Sequence, residues 1–202
     1  MSRFIETIEV TEGLAPLLSF HQRRVEETFA AFHQPCSLNL HQLMSQLPHT
    51  HYKSKWRVVY DLDGGLEFSF TRFEKRSHEK FLIIEAPEIN YQFKGEDRSS
   101  LNRYKRNNAG VEALFTQEGW LTDSSYSNLI FKQANVWYTP ITHLLNGVQR
   151  RCLLESGKIK ERPIHRDDLV NYSHFVLINA LNSIDNAVEY PLSAIENLVP
   201  EE

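Results

Sequence analysis

Hydrophobic and polar positions alternate with a period of two along three stretches of the N-terminal part of the chain, a pattern typical of half-buried strands. These stretches are Phe4 to Val10, Trp56 to Tyr60 and Leu66 to Phe70. The second and third flank Asp61-Leu62-Asp63-Gly64-Gly65, and aspartate followed by glycine favours a tight hairpin turn. The pattern therefore predicts one strand followed by a β-hairpin.

Between the first two strands, apolar residues recur at the spacing of an amphipathic helix. They are Phe20, Val25, Phe29 and Phe32. The predicted helix begins after Leu17-Leu18 and ends before Pro35, because proline disrupts a helix interior. We expect polar side chains, including His21 and Arg24, along its first turns. A second short helix is predicted from Leu40 to Leu47, so this part of the chain is β-α-β-β in character.

The central stretch, residues 111–151, contains further strands and the start of a helix. Strands are predicted at Val111 to Thr116, Asn128 to Lys132 and Val136 to Tyr138. We expect a polar elbow at Thr122 to Ser125, and a helical pattern over residues 144–155 places Gly147 where loop becomes helix. A helix N-terminus carries unpaired N–H groups and the positive end of the helix dipole, so this turn is a candidate anion site.

A charged segment without apolar periodicity, residues 74–80, is the best candidate for a linker. Strand patterns follow it at Phe81 to Ile84, Ile89 to Phe93 and Phe175 to Leu181. A short helix is predicted near Leu192. We expect a small α/β domain over residues 1–73, a linker over 74–79 and a large domain over 80–202.

Composition narrows the class of protein. The 202 residues have a formal net charge of −4, which argues against a nucleic-acid binder that relies on a basic surface. No apolar run approaches the roughly 20 residues that cross a bilayer, and no charged-then-apolar leader opens the chain. Cys36 and Cys152 do not make a disulfide framework. These features predict a cytoplasmic protein without a nucleic-acid or membrane partner.

Three other features of the sequence have simple structural interpretations. His49 and His51 have no third ligand at a supporting spacing, so we interpret them as loop histidines and expect no metal site. The aspartates that follow His165 suit the first turn of a helix. The basic pair Lys105-Arg106 is interpreted as the solvated face of a helix.

Several short motifs occur in one order over nearly the whole chain. They are Ile5-Glu6-Thr7, His21-Gln22-Arg23-Arg24, Phe93-Lys94-Gly95-Glu96-Asp97-Arg98, Gly119-Trp120-Leu121-Thr122-Asp123, Asn128, Trp137-Tyr138-Thr139-Pro140, Leu145-Asn146-Gly147-Val148-Gln149-Arg150 and Asn179-Ala180-Leu181. In their order and spacing the chain resembles the class IV aminotransferases, fold-type-IV enzymes that use pyridoxal 5′-phosphate (PLP), and among these the aminodeoxychorismate lyases in particular. The resemblance implies a two-domain α/β (α+β) fold with a cofactor cleft between the domains, and a homodimer.

PLP needs an amine to bind its aldehyde, a carboxylate to keep its ring nitrogen protonated and a cradle for its phosphate. The resemblance assigns the amine to Lys94, which is also the catalytic residue, and the carboxylate to Asp123, where relatives more often have glutamate. It assigns the phosphate to Arg24 and to the turn at Gly147.

The same resemblance implies further cofactor contacts. The backbone N–H groups of Val148 and Gln149 complete the phosphate cradle from the helix start, and the turn at Leu181-Asn182 contributes more weakly. Arg98, four residues after the lysine, occupies the place from which relatives reach the ring hydroxyl.

Each of these residues also has a simpler interpretation. Lys94 at the end of a strand is ordinarily a solvated lysine. Asp123 in a Thr-Asp-Ser-Ser sequence can form an Asx-turn. Arg24 can be a cation on the helix surface, and the neighbouring Arg23 can take its place in the motif.

The sequence also departs from the family pattern. Relatives begin with a further strand and loop, so the small domain is expected to be shortened, and Asp61-Leu62-Asp63-Gly64 stands where relatives often have Arg-Gly. The motifs favour a 4-amino-4-deoxychorismate lyase of folate biosynthesis, which releases pyruvate and 4-aminobenzoate from a small amino-acid-like substrate. The alternatives are a branched-chain or D-amino-acid aminotransferase and a non-catalytic PLP-binding protein.

Overall fold

The computed structural model describes residues 2–104 and 110–198, so the basic pair at 105–106 lies outside the described residues. The chain divides into two units. The first unit comprises Met1–Glu74 and Phe93–Asp97, and the second comprises Lys75–Gln92 and Arg98–Glu202. Thus residues 93–97, which include Lys94, group with the N-terminal part of the chain. The domain boundaries expected from the sequence remain a proposal.

The first unit contains a three-stranded antiparallel sheet in the order β1-β2-β3. Its strands are β1 (Phe4–Val10), β2 (Ser54–Tyr60) and β3 (Leu66–Arg72). Ile8 of β1 pairs with Trp56 of β2, and both side chains are fully buried. The predicted hairpin is confirmed, with Gly64 in the left-handed region that its turn requires.

Two helices connect β1 with β2, α1 (Leu18–Ala31) and α2 (Leu40–Met44). Helix α1 confirms the predicted helix, and Val25 and Phe29 lie in the core of this unit. However, the expectation that His21 and Arg24 are among the polar positions of this helix is wrong, because both are buried like Val25 and Phe29. The reason is a buried partner on β1, described below. Phe32, predicted on the apolar face, lies just past the helix end and is 40% exposed.

The predicted strand at residues 89–93 is wrong. Described residues 86–94 contain no strand, and the Ile89 N–H donates to the Ala86 carbonyl in a turn around Pro87. Residues 93–97 instead run beside the start of β1. There the Ile5 N–H donates to the Lys94 carbonyl at 2.9 Å and the Glu96 N–H donates to the Arg3 carbonyl at 2.8 Å.

The second unit contains an eight-stranded mixed sheet. Its strands are β4 (Lys80–Glu85), β5 (Val111–Gln117), β6 (Trp120–Ser124), β7 (Asn128–Gln133), β8 (Val136–Pro140), β9 (Lys160–Arg162), β10 (His174–Ile178) and β11 (Tyr190–Pro191). The main order is β11-β10-β7-β6-β5-β4, and β8 pairs with β7 and β9. The pairs β4–β5 and β8–β9 are parallel and the others are antiparallel.

Strands β7 and β10 are buried on both faces. Leu129 and Phe131 pack in one hydrophobic cluster with Phe175, whereas Ile130 and Val176 pack in another. Because successive side chains of a strand point to opposite faces, both faces of this sheet region are covered. This explains why these two strands appear in the sequence as continuous apolar runs.

Within residues 75–92, 98–104 and 110–198, two α-helices and three 3₁₀ helices complete the second unit. They are α3 (Ser99–Asn102), α4 (Val148–Glu155) and the 3₁₀ helices Arg166–Asn171, Ile184–Asn186 and Leu192–Ala194. Helix α4 packs Leu153 against the cluster around Ile130 and Val176. It begins at Val148 with Gly147 as N-cap, which confirms the predicted helix start but shortens the predicted helix. None of the helices in residues 2–104 and 110–198 is long and apolar enough to span a membrane.

The polar elbow lies further along the chain than predicted. Thr122 and Asp123 belong to strand β6, and the chain turns at residues 125–127. Thr122 is held in the strand region by its hydroxyl, which donates to the Phe115 carbonyl at 3.1 Å. Asp123 pairs with Asn128 across the turn. The carboxylate therefore has a defined place in a sheet.

Candidate active site

Asp123 is a buried carboxylate with two neutral donors. Asp123 is only 5% exposed. Oδ1 accepts a hydrogen bond from Asn128 Nδ2 at 2.8 Å, and Oδ2 accepts one from the Leu145 N–H at 2.9 Å. These donors lie five and 22 residues along the chain, so the Asx-turn interpretation is wrong. In the described part of the chain, no lysine, arginine or histidine lies within ion-pair distance of this carboxylate.

This environment changes the acidity of Asp123. Burial raises the pKa of its carboxyl to about 7, although the hydrogen bonds from Leu145 and Asn128 and the charge of Arg150 act in the opposite direction. A buried carboxylate without a paired cation is costly to ionise. A cation supplied from outside the chain would remove much of that cost.

The start of helix α4 lies beside the same carboxylate. Gly147 has no side-chain cap, and the first backbone bond of the helix runs from the Arg151 N–H to the Gly147 carbonyl at 2.9 Å. The N–H groups of Val148 and Gln149 precede that bond and have no carbonyl within the helix to accept them. A side chain at position 147 would place its Cβ 2.1 Å from Asn128 Oδ1, so close packing requires glycine here.

Arg150 holds the loop that leads into α4. Its guanidinium, almost fully buried, donates to the Pro140 carbonyl at 3.1 Å and to Asn146 Oδ1 at 3.2 Å. It also pairs with Glu161. The loop is therefore closed against the helix that follows it, which gives the first turn of α4 a defined position.

Arg98 contacts the turn that follows Asp123. Its Nη2 donates to the Ser125 carbonyl, and its guanidinium lies 5.9 Å from the centre of the Tyr91 ring. The Ser125 N–H donates to Glu112 Oε1 at 2.8 Å. Within the described residues, Arg98 Nε and Ser125 Oγ are buried without a hydrogen-bond partner. Arg98 and the turn thus each present one polar atom that a ligand could satisfy.

The turn at Leu181-Asn182 is connected to the same region through Asn179. The Leu181 N–H donates to Asn179 Oδ1 at 2.9 Å, and the Asn182 N–H donates to the Asn179 carbonyl at 3.0 Å. Asn179 Nδ2 in turn donates to Ser127 Oγ at 2.8 Å. Because both backbone N–H groups are engaged within the turn, its contribution to an anion cradle stays a prediction.

In the first unit, Arg24 pairs with a buried glutamate. Arg24 Nε donates to Glu6 Oε1 at 2.8 Å, and Nη2 donates to Oε2. His21 Nδ1 is also bonded to Oε2, and since a carboxylate only accepts, the histidine is the donor. This pair engages two of the five N–H donors of the guanidinium. The interpretation of Arg24 as a surface cation is wrong, and its role toward a phosphate stays a prediction.

Lys94 follows Phe93 in the segment beside β1. It is half-buried, and its backbone carbonyl accepts the Ile5 N–H. Its positive charge is one of the influences that lower the pKa of His21, of which burial is the largest. Lys94 does not follow a strand, because residues 89–93 form none, and its role as the catalytic amine stays a prediction.

The structure connects most of the predicted residues of the second unit. Hydrogen bonds and close packing join Asp123 with the start of α4, the turn at Ser125 with Arg98, and Ser127 with the turn at Leu181-Asn182. Sequence reasoning assigned no role to Asn128, Arg150 or Glu6. All three stand within the motifs named in the sequence analysis, and that position was the available signal.

The fold and these sites define a class of protein, a mixed α/β chain with a buried carboxylate next to an uncapped helix start. Residues 96–187 match the family described as amino-transferase class IV. An uncharacterised protein of Haemophilus influenzae Rd is 30% identical, with 91% of this chain and 100% of that protein covered. The chain belongs to the class IV aminotransferase family, which comprises PLP-dependent aminotransferases and lyases.

The solved structures that are similar to this chain include the following two. A protein of Haemophilus somnus 129PT, provisionally named 4-amino-4-deoxychorismate lyase, is 31% identical with a TM-score of 0.82, over 91% of this chain and 98% of that chain. The PLP-bound form of a hypothetical aminotransferase from Mycobacterium tuberculosis is 16% identical with a TM-score of 0.71, over 93% and 80% of the two chains. These neighbours confirm the fold-type-IV architecture.

The residues of the second unit fit the cofactor that the family implies. The protonated ring nitrogen of PLP would supply the cation that the buried Asp123 lacks, and carboxylates form strong charge-assisted hydrogen bonds. The first turn of α4 offers N–H groups and the positive end of the helix dipole to a phosphate. Arg98 contacts the turn that follows Asp123, and within the described residues its Nε has no hydrogen-bond partner.

Proposed function

We propose that this protein is a PLP-dependent lyase that converts 4-amino-4-deoxychorismate into pyruvate and 4-aminobenzoate. The main support for cofactor binding is the environment of Asp123. This carboxylate is buried, accepts hydrogen bonds from neutral groups and is joined through Leu145 to the loop before α4. In this proposal Asp123 keeps the ring nitrogen protonated. The N–H groups of Val148 and Gln149 bind the phosphate together with Arg24.

Lys94 is proposed as the catalytic amine. Its amine would hold the cofactor at the aldehyde and, once freed by the substrate, would take the proton from the substrate carbon that bears the amine. PLP, when bound, withdraws the electron pair left on that carbon. Lys94 would then return this proton to the enolpyruvate group that leaves from the ring, so that pyruvate forms and the ring becomes aromatic. Arg98 reaches the ring hydroxyl, and the Leu181-Asn182 turn supports the phosphate.

Elimination rather than transamination is favoured by the motif resemblance, and the name of the Haemophilus somnus relative supports it. Elimination also needs no second substrate, so a single pocket for a flat cyclic acid is enough. The homodimer, the cytoplasmic location and the place in folate biosynthesis belong to the same proposal. The experiment below tests this proposal against two alternatives, an aminotransferase and a non-catalytic PLP-binding protein.

The test is incubation of the purified protein and PLP with 4-amino-4-deoxychorismate, without a keto acid. We expect equal amounts of pyruvate and 4-aminobenzoate, and borohydride should fix PLP covalently on Lys94. Lys94→Ala should lose both turnover and the covalent adduct but still bind PLP, because the proposed phosphate contacts lie elsewhere in the chain. Lys132→Ala, which changes a lysine near the surface of β7, is the control and should leave both signals unchanged.

Three results contradict the proposal. Activity that requires an added keto acid shows an aminotransferase. PLP binding without conversion of any amino donor shows a binding protein. A covalent adduct that persists in Lys94→Ala shows that another amine carries the chemistry.

A further inference from the structure

We propose that Asn128 is a positioning residue that couples Asp123 to the start of helix α4, so that one side chain sets the geometry at both ends of the cofactor site. The inference rests on the proposed binding of PLP. Asn128 is 6% exposed and begins β7, directly across the turn from Asp123. Every contact used below lies within the second unit.

The amide group of Asn128 uses both of its N–H donors. Nδ2 donates to Asp123 Oδ1 at 2.8 Å and to the Leu145 carbonyl at 2.8 Å. Asp123 Oδ2 accepts the Leu145 N–H at 2.9 Å. Asp123, Asn128 and Leu145 therefore form a closed hydrogen-bonded ring, and none of them can shift without changing the other two.

The orientation of this amide is determined by its partners. The Asp123 carboxylate and the Leu145 carbonyl are both acceptors, so only the NH₂ end of the amide can face them. The Oδ1 end must then point the other way, where it lies against Gly147. The position of the first residue before α4 thus depends on the same side chain that binds the carboxylate.

Asn128 influences both the acidity of Asp123 and the position of Leu145, which a residue that only fills space would not do. Asn128 lowers the pKa of Asp123 by donating to it, together with Leu145, Leu144 and the charge of Arg150 on α4. Its loss would leave the carboxylate less ionised near neutral pH and would also release Leu145, two residues before Gly147. The ring nitrogen and the phosphate of the cofactor should be affected together.

The experiment measures three probes on the full chain after removal of cofactor. PLP reports on both ends of the site, pyridoxal on the ring alone and inorganic phosphate on the phosphate end alone. Affinities are measured by fluorescence for the first two and by phosphorus NMR or competition with PLP for the third. Asn128→Ala is compared with wild type and with Asn128→Asp, which keeps the shape but replaces the donor by an acceptor.

We expect Asn128→Ala to weaken pyridoxal and phosphate each by about 5-fold or more, and PLP by about 10- to 100-fold, the range expected when buried acceptors lose their donors. Asn128→Asp should be at least as weak, and its pyridoxal binding should require a higher pH, because a second carboxylate opposes ionisation of Asp123.

Two controls separate coupling from general damage. Asn197→Ala removes a side chain that also makes two bonds in this unit, from Nδ2 to the Ile83 carbonyl and from the Ile83 N–H to Oδ1, both at 2.8 Å. It should change all three affinities by less than about 2-fold. Asp123→Asn should weaken pyridoxal much more than phosphate.

The inference is overturned if Asn128→Ala weakens only one of pyridoxal and phosphate, or if Asn128→Asp binds all three probes like wild type. It is also overturned, together with the proposed function, if wild type binds none of the probes. A wild-type protein that binds PLP without turnover contradicts the proposed reaction alone, because the probe affinities can still be compared.

Discussion

Glu6 in the first unit and Asp123 in the second are both almost fully buried carboxylates, but their partners differ. Glu6 is paired with the guanidinium of Arg24 and with His21. Asp123 accepts hydrogen bonds from the amide of Asn128 and the N–H of Leu145 and, within the described residues, forms no ion pair. One carboxylate has its countercharge within its own unit, whereas the other has only neutral donors.

The difference appears in their acidity. Burial acts to raise both pKa values, but for Glu6 the charge of Arg24 and the hydrogen bonds from His21 and Arg24 outweigh burial and hold the pKa far below its usual range. For Asp123 burial prevails and the pKa is raised to about 7. A carboxylate that is already paired with a cation stabilises the folded protein. A buried carboxylate without such a partner, in a family of cofactor enzymes, is a candidate site for a cationic group of the ligand.

The largest expected effect is on Glu6. Glu6→Gln leaves the buried guanidinium of Arg24 without its carboxylate, so the free energy of unfolding should fall by about 3–5 kcal/mol, measured by urea denaturation near neutral pH. Glu9→Gln on the same strand, which removes the less buried pair with Lys53, should cost less than about 1 kcal/mol. Equal losses in the two variants would contradict the comparison.

The second effect concerns Asp123 and pH. Because its folded pKa lies above its ordinary value of 3.8, the folded state binds the extra proton, and stability falls as pH rises between the two values. Wild type without cofactor should therefore lose up to about 4 kcal/mol relative to Asp123→Asn from about pH 4 to about pH 7, and no more above that. Using the difference between the two proteins cancels the contributions that are common to both.

Denaturation curves at several pH values provide the measurement for Asp123. Asp185→Asn, at an exposed carboxylate of the same unit, should run parallel to wild type between about pH 5 and about pH 8. Addition of PLP should flatten the pH dependence of wild type, since the bound ring nitrogen favours the ionised carboxylate. A difference between wild type and Asp123→Asn that does not vary with pH would show that Asp123 is not costly to ionise.

The smallest effect tests the packing that joins Asp123 to α4. Gly147→Ala should destabilise the protein by about 1–3 kcal/mol, because its Cβ meets Asn128 Oδ1 and that amide is held by two hydrogen bonds. In the Asn128→Ala background the same change should cost clearly less, since the obstructing atom is gone. Additive losses in the double variant would contradict this close contact.

The strands and the main helices could be predicted because their signals are local. Alternation identified β1, β2 and β3, and the apolar spacing of Val25 and Phe29 identified α1. The stretch at 89–93 has the same alternation but forms no strand, because Pro87 induces a turn and the following residues pair with the start of β1 instead. Alternation reports a half-buried surface and does not specify a pairing partner.

By itself the sequence determined the family, the strand and helix pattern, and the identity of the acidic and glycine positions at 123 and 147, since each depends on residue types in a fixed order. Only the tertiary structure decided what these residues do for one another. It buried His21 and Arg24 around Glu6, placed Asp123 on a strand rather than a turn, and joined it through Asn128 and Leu145 to α4. The physical reason is that the energy of a buried charge depends on the groups around it, and those groups come from distant parts of the chain.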